Sequence, residues 1–244
     1  MPRRIAAYFN VVKTQWLVVL FIFSTQLAVA YTSYPVDVHC PIDSTEFTIF
    51  ETRSYYTSGS LTDFQKVGSM GAYYKNMVHS CPHCHYAGYA RDFDTTFSDQ
   101  EREGLRQFLQ TFKTYTMTDL QENEVAIAIK KRGGVDHKEL AHLYLVSSYL
   151  IKDQGWQRGK RKALQRSAIL HIEKAIELRE YPDSNMYATM TYLQGELYRR
   201  VGEFKTAIRL FDAAIAYPSK SPSIEALARK QKALARRRSG NNGI

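Results

Sequence analysis

Two short segments of the sequence carry side chains that could hold a metal ion. Cys40 and Asp43 stand three positions apart, and so do Cys81 and Cys84. A tetrahedral zinc site is commonly built from two turns of this kind, because each turn directs two ligands at one ion. The spacing therefore predicts a structural zinc site whose ligands are Cys40, Asp43, Cys81 and Cys84, which is a set of three thiolates and one carboxylate.

The fourth ligand is the open point of this prediction. Asp43 occupies the position at which a second thiol would complete the first turn, and zinc accepts either carboxylate or imidazole there. The rival ligands are four nearby histidines: His39, His79, His83 and His85. Because the chain has only three cysteines, a Cys81–Cys84 disulfide would leave Cys40 unpaired, and inert thiols are a further alternative.

The second cysteine segment also looks like the active site of periplasmic thiol oxidases that resemble thioredoxin. In those enzymes the first cysteine follows a β-strand and begins a helix, whose dipole lowers the pKa of the thiol. Here residues 76–80 make a poor core strand, Gly88 interrupts the next segment, and no βαβ pattern surrounds the motif. We therefore expect no catalytic residues, and a thiol–disulfide oxidoreductase that uses Cys81 and Cys84 is the alternative hypothesis.

The N-terminal residues have the pattern of an export signal. Arg3, Arg4 and Lys13 precede an apolar run at 16–23, and Ala28-Val29-Ala30 follows. A charged segment, a short apolar segment and an Ala-x-Ala site are typical of a secretory signal peptide. We therefore predict a signal peptide over 1–30 and a mature chain in the periplasm or outside the cell, with an uncleaved membrane anchor as the alternative.

The basic charge lies at the two ends of the sequence. Residues 1–30 carry a net charge of +3, residues 220–238 carry +6, and the body at 31–219 is neutral within a total of +9. A nucleic-acid-binding protein would carry a basic face on its folded body, so we expect no nucleic-acid partner. The basic C-terminal helix is a candidate for contact with an anionic surface.

Residues 31–97 and the residues that follow differ in pattern. The first segment is rich in Tyr, Thr, Ser and Gly, which predicts a small, strand-poor module that buries little core by itself. From Ser98 onward the pattern is helical: Ser98 and Glu101 have the spacing of a capping box, Gly133-Gly134 ends a helix, and Asp136 with Glu139 repeats the capping pattern.

The helices after residue 136 look like those of tetratricopeptide repeats. Helices at 187–201 and 204–216 are predicted, and their small and large packing positions have the order and spacing of that repeat: Gly195, Tyr198, Gly202, Ala207, Phe211 and Ala214. An earlier pair at 141–152 and 161–178 repeats the second-helix positions with Ala168, Ile172 and Ala175. Ser221-Pro222 then begins a last helix that extends to Arg237 and would cap the array.

Several residues together resemble a bacterial family, the domain of unknown function family 2225. They are Cys40-Pro41, Phe47, Cys81-Pro82-x-Cys84 and the run Tyr86-Ala87-Gly88-Tyr89-Ala90-Arg91-Asp92-Phe93. The resemblance covers most of the chain after Tyr31 and implies a zinc-ribbon-like module followed by tetratricopeptide-type helices. Members usually have Cys at the position of Asp43, so this chain departs from the pattern at one ligand.

The expected fold is mainly α, with a small α+β zinc-ribbon-like N-terminal module and a tetratricopeptide-type helical array at the C-terminus. The expected segments are a signal peptide at 1–30, the module at 31–97, a connecting helical segment at 98–135, the array with its capping helix at 136–238 and a disordered tail at 239–244. The expected function is that of an exported, non-catalytic scaffold that binds structural zinc and holds a protein or peptide partner on its helices.

Overall fold

A computed structural model describes residues 31–112 and 116–240. The predicted signal peptide at 1–30 and the last four residues of the predicted tail lie outside the described residues. The protein is mainly helical, with a small antiparallel strand region near its N-terminus. Within the described part of the chain, none of the helices combines the length and the apolar composition needed to cross a membrane.

The strands of the described residues form three two-stranded antiparallel sheets. They pair β1 (Thr32–His39) with β2 (Glu46–Ser54), β3 (Tyr56–Ser60) with β4 (Lys66–Ser69), and β5 (His79–Ser80) with β6 (Ala87–Gly88). The prediction of a strand-poor segment was therefore wrong. The hairpins form because short β-prone runs are separated by turns, although the segment has little of the aliphatic alternation that marks larger sheets.

One face of the first hairpin contributes to the core. Residues two apart on a strand share a face, and the β1–β2 register sets Val36 opposite Ile49 and Val38 opposite Phe47. These four side chains belong to one apolar cluster, which also contains residues of the following helices: Leu105, Val125, Ala126 and Leu143. The strand region thus buries its apolar face against helices.

Seven α-helices follow in the described residues. They are α1 (Asp99–Leu109), α2 (Asp119–Gly133), α3 (His137–Leu150), α4 (Arg158–Glu177), α5 (Ser184–Val201), α6 (Phe204–Ala216) and α7 (Pro222–Arg236). Short 3-10 helices cover Lys75–Met77, Ala90–Asp94 and Gly155–Gln157.

Two of the predicted helix ends follow their local sequence signals, and a third does not. Ser98 and Glu101 form the predicted capping box of α1, and Gly134 ends α2 in the left-handed conformation at φ 69°. Asp136 precedes α3 but its side chain caps no backbone N–H. Its carboxylate instead pairs with Lys138 Nζ at 3.0 Å, because an ammonium two residues away competes for the same oxygen.

Consecutive helices pack in pairs along the second half of the chain. The predicted packing residues Ala168, Ala175, Ala207, Phe211 and Ala214 are all buried. A Cβ atom built on Gly195 of α5 would lie 3.0 Å from the Phe211 ring of α6. The absence of a side chain at Gly195 therefore permits the close approach of these two helices.

Candidate metal centre

The first predicted ligand pair lies in the turn between β1 and β2. The Cys40 N–H donates to the Thr45 carbonyl at 2.9 Å, and the Ser44 N–H donates to the Cys40 carbonyl at 2.9 Å. Ser44 adopts a left-handed φ of 62°, which closes the turn. The Ile42 N–H donates to the Cys40 sulfur at 3.5 Å, a contact that favours a thiolate at this position.

The second pair lies in a turn of the same design between β5 and β6. The Cys81 N–H donates to the Tyr86 carbonyl at 2.8 Å, and the His85 N–H donates to the Cys81 carbonyl at 3.0 Å. His85 has a left-handed φ of 65°, and the Cys84 N–H donates to the Cys81 sulfur at 3.5 Å. The two turns share their backbone hydrogen bonds and the position of the left-handed residue, so that Asp43 stands in the first where Cys84 stands in the second. They differ in the N–H that reaches the first sulfur, which comes two residues after Cys40 and three residues after Cys81.

The structure brings the four predicted ligands together. Their ligand atoms all lie within 4.8 Å of one another, in a group made of Cys40, Asp43, Cys81 and Cys84. The sulfurs of Cys40 and Cys84 are 3.4 Å apart, and the Cys81 sulfur is 3.7 Å from Asp43 Oδ1. Sulfurs that share a tetrahedral zinc at about 2.3 Å each stand about 3.8 Å apart, so the donor set fits a zinc-sized ion.

Burial and packing hold the two turns in place. Cys40 is 2% exposed and Cys81 is 0% exposed. Helix α1 reaches the first turn through Arg106, whose Nη2 donates to the Ile42 carbonyl at 3.1 Å. Helix α2 reaches the second turn through Glu122, which accepts from the Ser80 hydroxyl at 2.6 Å. Each turn is therefore anchored by a helix as well as by its own hairpin.

The thiols of the cluster differ in acidity because they hydrogen-bond one another. Cys81 accepts from the thiols of Cys40 and Cys84, and this lowers the pKa of the Cys81 thiol to about 3. The hydrogen bond to Cys81 raises the pKa of the Cys40 thiol to about 12, and the bond to Cys40 raises the pKa of the Cys84 thiol. A bound cation would take the place of the protons that the cluster otherwise shares.

Asp43 is ionised in this environment. Burial disfavours its charged form, but hydrogen bonds with His83 and with the Thr45 backbone outweigh burial and hold the pKa of the Asp43 carboxyl well below its usual range. His83 Nδ1 lies 2.6 Å from Asp43 Oδ2, while Asp43 Oδ1 faces the Cys81 sulfur. His83 therefore contacts Asp43 but is not one of the four clustered ligands. Residues that support a metal site from outside commonly hydrogen-bond a ligand in this way.

The other three histidines lie outside the ligand group. His39 Nε2 pairs with Glu46 at 2.9 Å on the exposed face of the first hairpin. His79 is half-buried, and burial lowers the pKa of its imidazole, while His85 serves as the left-handed residue of its turn. Within the described residues the metal-compatible group contains no histidine, which favours Asp43 as the fourth ligand.

The surroundings of Cys81 differ from those of a thioredoxin-type active site. Residues 81–86 form a turn between two-residue strands, and the next α-helix begins only at Asp99. The Cys81 thiol is also closed to solvent. The hydrogen bonds among the three sulfurs, and not a helix N-terminus, lower the pKa of the Cys81 thiol here.

Aromatic residues pack against the two cysteine turns. The rings of Phe47 and Phe93 meet edge to face with centroids 5.3 Å apart, and Tyr86 contacts Phe93 in the same way at 5.5 Å. Asp92 accepts from the Tyr89 N–H at 2.8 Å, and a Cβ on Gly88 would approach Asp92 Oδ2 to 2.6 Å. The residues from Tyr86 to Phe93 therefore pack against the second turn and stabilise it.

An ion cluster between this run and the helices was missed at the level of sequence. The Asp92 side chain caps the 3-10 helix at Ala90–Asp94 by accepting from the Tyr89 N–H. In the structure Asp92 Oδ2 lies 2.8 Å from Lys130 Nζ of α2, and Lys130 also contacts Glu139 of α3 at 2.7 Å. No local signal indicates this contact, because the three residues belong to separate elements.

The protein's own chain covers part of the helical face on which a partner was expected. The loop between β3 and β4 lies on α3 and α5, where Asp63 contacts Arg200 Nη1 at 2.6 Å and Lys152 Nζ at 3.3 Å. Phe64 packs on Tyr192 with ring centroids 5.5 Å apart. This part of the α3–α5 surface is therefore an internal interface.

The fold and the site together define a mainly helical protein whose small strand region carries two matching turns that bring three cysteines and an aspartate together. The chain belongs to the family described as an uncharacterized protein conserved in bacteria (DUF2225), and the family model matches residues 34–235. No curated protein and no solved structure gave a significant match. The family assignment expected from the cysteine turns and the Tyr86–Phe93 run is confirmed.

Proposed function

We propose that this protein is an exported, non-catalytic scaffold that a structural zinc ion stabilises. Cys40, Asp43, Cys81 and Cys84 hold the ion, and the helices bind a protein or peptide partner. The observation that carries the proposal is the equivalence of the two turns, whose ligand atoms meet within 4.8 Å. Two hairpin turns that each supply two ligands are the arrangement of a zinc ribbon.

The energetics of the strand region support a structural role for the metal. β3 is exposed along its whole length, and β5 and β6 have two residues each, so these hairpins contribute little burial of their own. Zinc bound by thiolates contributes its binding free energy directly to folding. The ion would hold the two turns against each other and against α1 and α2.

The buried thiols support a non-catalytic assignment. Attack on a disulfide needs an accessible thiolate, whereas Cys40 and Cys81 are buried. Robust insulin reduction by metal-free protein would overturn this assignment and favour the oxidoreductase that uses Cys81 and Cys84.

Partner binding is supported by the paired helices and by large exposed apolar side chains on α4 and directly beside its two ends. Trp156, Leu170 and Leu178 are 84%, 53% and 62% exposed. Stacked helix pairs of the tetratricopeptide type use such surfaces to hold peptides. A partner held in this way should be lost when Leu170 and Leu178 are both replaced by Ser, and retained in a control with Lys205→Ser; equal capture by both variants would contradict the assignment.

Metal analysis of the purified chain from Tyr31 tests the central claim. We expect about one zinc per chain, loss of zinc in Cys84→Ser, and full retention in the control His39→Gln, whose side chain pairs with Glu46. Asp43→Cys would supply a fourth thiolate and should bind zinc more tightly, while His83→Gln should weaken binding about 10- to 100-fold through loss of its contact with Asp43. Zinc-free protein with an unchanged melting temperature after chelation would overturn the proposal.

Export is tested separately from metal binding. Expression of the full chain in a bacterial host followed by fractionation should place the protein outside the cytoplasm, and N-terminal sequencing should begin at Tyr31. A cytoplasmic chain that retains residues 1–30 would contradict the signal-peptide hypothesis and leave the metal site unaffected.

A further inference from the structure

A cavity of about 340 Å³ lies between the strand region and the helices. Its walls come from residues 64–77 on one side and from α3, α4 and α5 on the other. The floor is aliphatic and consists of buried side chains: Leu145, Val146, Ile172 and Leu193. A volume of this size is sufficient for a small molecule.

Tyrosine rings form much of the remaining wall. The Tyr149 hydroxyl donates to the Asp63 carbonyl, and the Tyr74 hydroxyl accepts from the Lys66 N–H at 2.6 Å. Because backbone groups satisfy these two hydroxyls, the rings offer the cavity their apolar surface. The interior therefore favours the hydrocarbon part of a ligand.

The charged groups that line this cavity are all basic. Lys66, Lys138 and His142 are among its lining residues, and burial lowers the pKa of the His142 imidazole. Lys138 Nζ already pairs with Asp136 at 3.0 Å. Among the described residues no ion pair forms at Lys66 Nζ, so Lys66 is the cation available to a ligand.

A larger neighbouring cavity indicates where in the smaller cavity a negatively charged group of a ligand would lie. That cavity, of about 660 Å³, shares Tyr73, Met77, Lys138 and His142 with the first one and is also lined by Glu51 and Glu139. Lys66 lines only the smaller cavity. An anionic head group at Lys66 would be away from the two carboxylates of the neighbouring cavity.

We propose that the smaller cavity binds an amphipathic carboxylate, with its aliphatic chain on the floor formed by Leu145, Val146 and Ile172 and its carboxylate at Lys66. A chain of roughly ten carbons suits a pocket at the lower end of the small-molecule range. This ligand needs neither the zinc ion nor a protein partner, so the inference goes beyond the function proposed above.

Calorimetric titration with three probes of equal chain length tests the proposal. The probes are decanoate and decyltrimethylammonium, each below its micelle concentration, and decanol below its solubility limit, all at low salt. We expect decanoate to bind most tightly, decanol about two- to fivefold more weakly because it lacks the charge, and decyltrimethylammonium most weakly of all. Equal binding of the three probes, or no saturable binding of decanoate, would overturn the proposal and leave the cavity to an apolar side chain of a protein partner.

Two variants connect the binding to this cavity. Lys66→Gln should remove the preference for decanoate over decanol, whereas Lys230→Gln, at an exposed lysine on α7, should keep it. Met190→Trp fills the cavity from α5 and should abolish binding of all three probes while the circular dichroism spectrum stays native. If the tryptophan variant fails to fold, the pair of lysine variants decides the test; retention of the preference in Lys66→Gln would refute the site.

Discussion

Replacement of Asp63 by Asn tests the interface between the strand region and the helices. Asp63 is 1% exposed, and its carboxylate contacts Arg200 at 2.6 Å and Lys152 at 3.3 Å. The substitution keeps the shape of the side chain and removes its charge. Lys152 would then lose its carboxylate partner, and Arg200 would lose the shorter of two ion pairs.

The expected loss of folding stability in Asp63→Asn follows from the burial of Lys152 and Arg200, the charged partners that remain. Removal of one member of a buried ion pair costs about 3–5 kcal/mol, because the other charge stays away from water without compensation. Arg200 keeps Glu196, whose Oε1 lies 2.8 Å from Arg200 Nε. We therefore expect the low end of the range, about 3 kcal/mol, which is a large share of the 5–15 kcal/mol that stabilises a typical domain.

Urea unfolding of matched variants measures this cost. The control is Asp212→Asn, because Asp212 pairs with Lys232 at an exposed position where such a pair contributes about 0–1 kcal/mol. Hydrogen exchange should also show faster exchange in β3 and β4 in Asp63→Asn, since their connecting loop holds them on the helices. A loss below about 1 kcal/mol, or an equal loss in the control, would refute this account of the interface.

Two further predictions concern packing and pH. Gly195→Leu should destabilise the chain by about 1–3 kcal/mol through overpacking against Phe211. The control Gly133→Ala adds a Cβ that meets nothing within 4 Å, so it should leave stability unchanged or raise it. Equal melting temperatures for the two variants would contradict the close packing at Gly195. Burial raises the pKa of the Glu122 carboxyl to about 7, so the neutral form stabilises the fold fully below about pH 4 and this stability is lost as the pH rises through 7. Relative to Glu122→Gln, the wild type should lose about 2–3 kcal/mol between pH 5 and 8. Parallel pH profiles of the two proteins would exclude a buried carboxyl at this position.

Local spacing was enough to predict most of the helical part. The capping box at Ser98, the end of α2 at Gly134, the span of α6 and the buried positions from Ala168 to Ala214 all match the structure. These features depend on residues within one or two turns of each other, for which side-chain type and period are sufficient.

The strands and the capping of α3 were harder to predict. β5 and β6 have only two residues each, so their pairing depends on the turn between them and on packing beneath it, and no hydrophobic alternation indicates them. At Asp136 the spacing of a capping box is present, but a neighbouring lysine takes the carboxylate. Local rules fail where two groups compete for one partner.

The candidate metal centre was partly predictable from the sequence. Each pair of ligands could be predicted from its own spacing, and the candidates for the fourth ligand were limited to Asp43 and four histidines. Only the folded chain brings Cys40 to within 3.4 Å of Cys84 and turns His83 toward Asp43 instead of toward the sulfurs. The choice of ligand depends on side-chain direction, which sequence spacing does not specify.

By itself the sequence determined the family, the two cysteine turns, some of the helix ends and the packing positions, since each of these is encoded by residues close together in the chain. Only the tertiary structure decided that the β3–β4 loop covers part of α3 and α5, that Asp92 contacts Lys130, and that a cavity with a basic rim lies between strands and helices. The loop contact joins Asp63 to Lys152 and Arg200, and the cavity is lined by residues 64–77 together with residues of α5. Contacts across such separations have no local signature, because they arise from the burial of apolar faces that brings distant elements together.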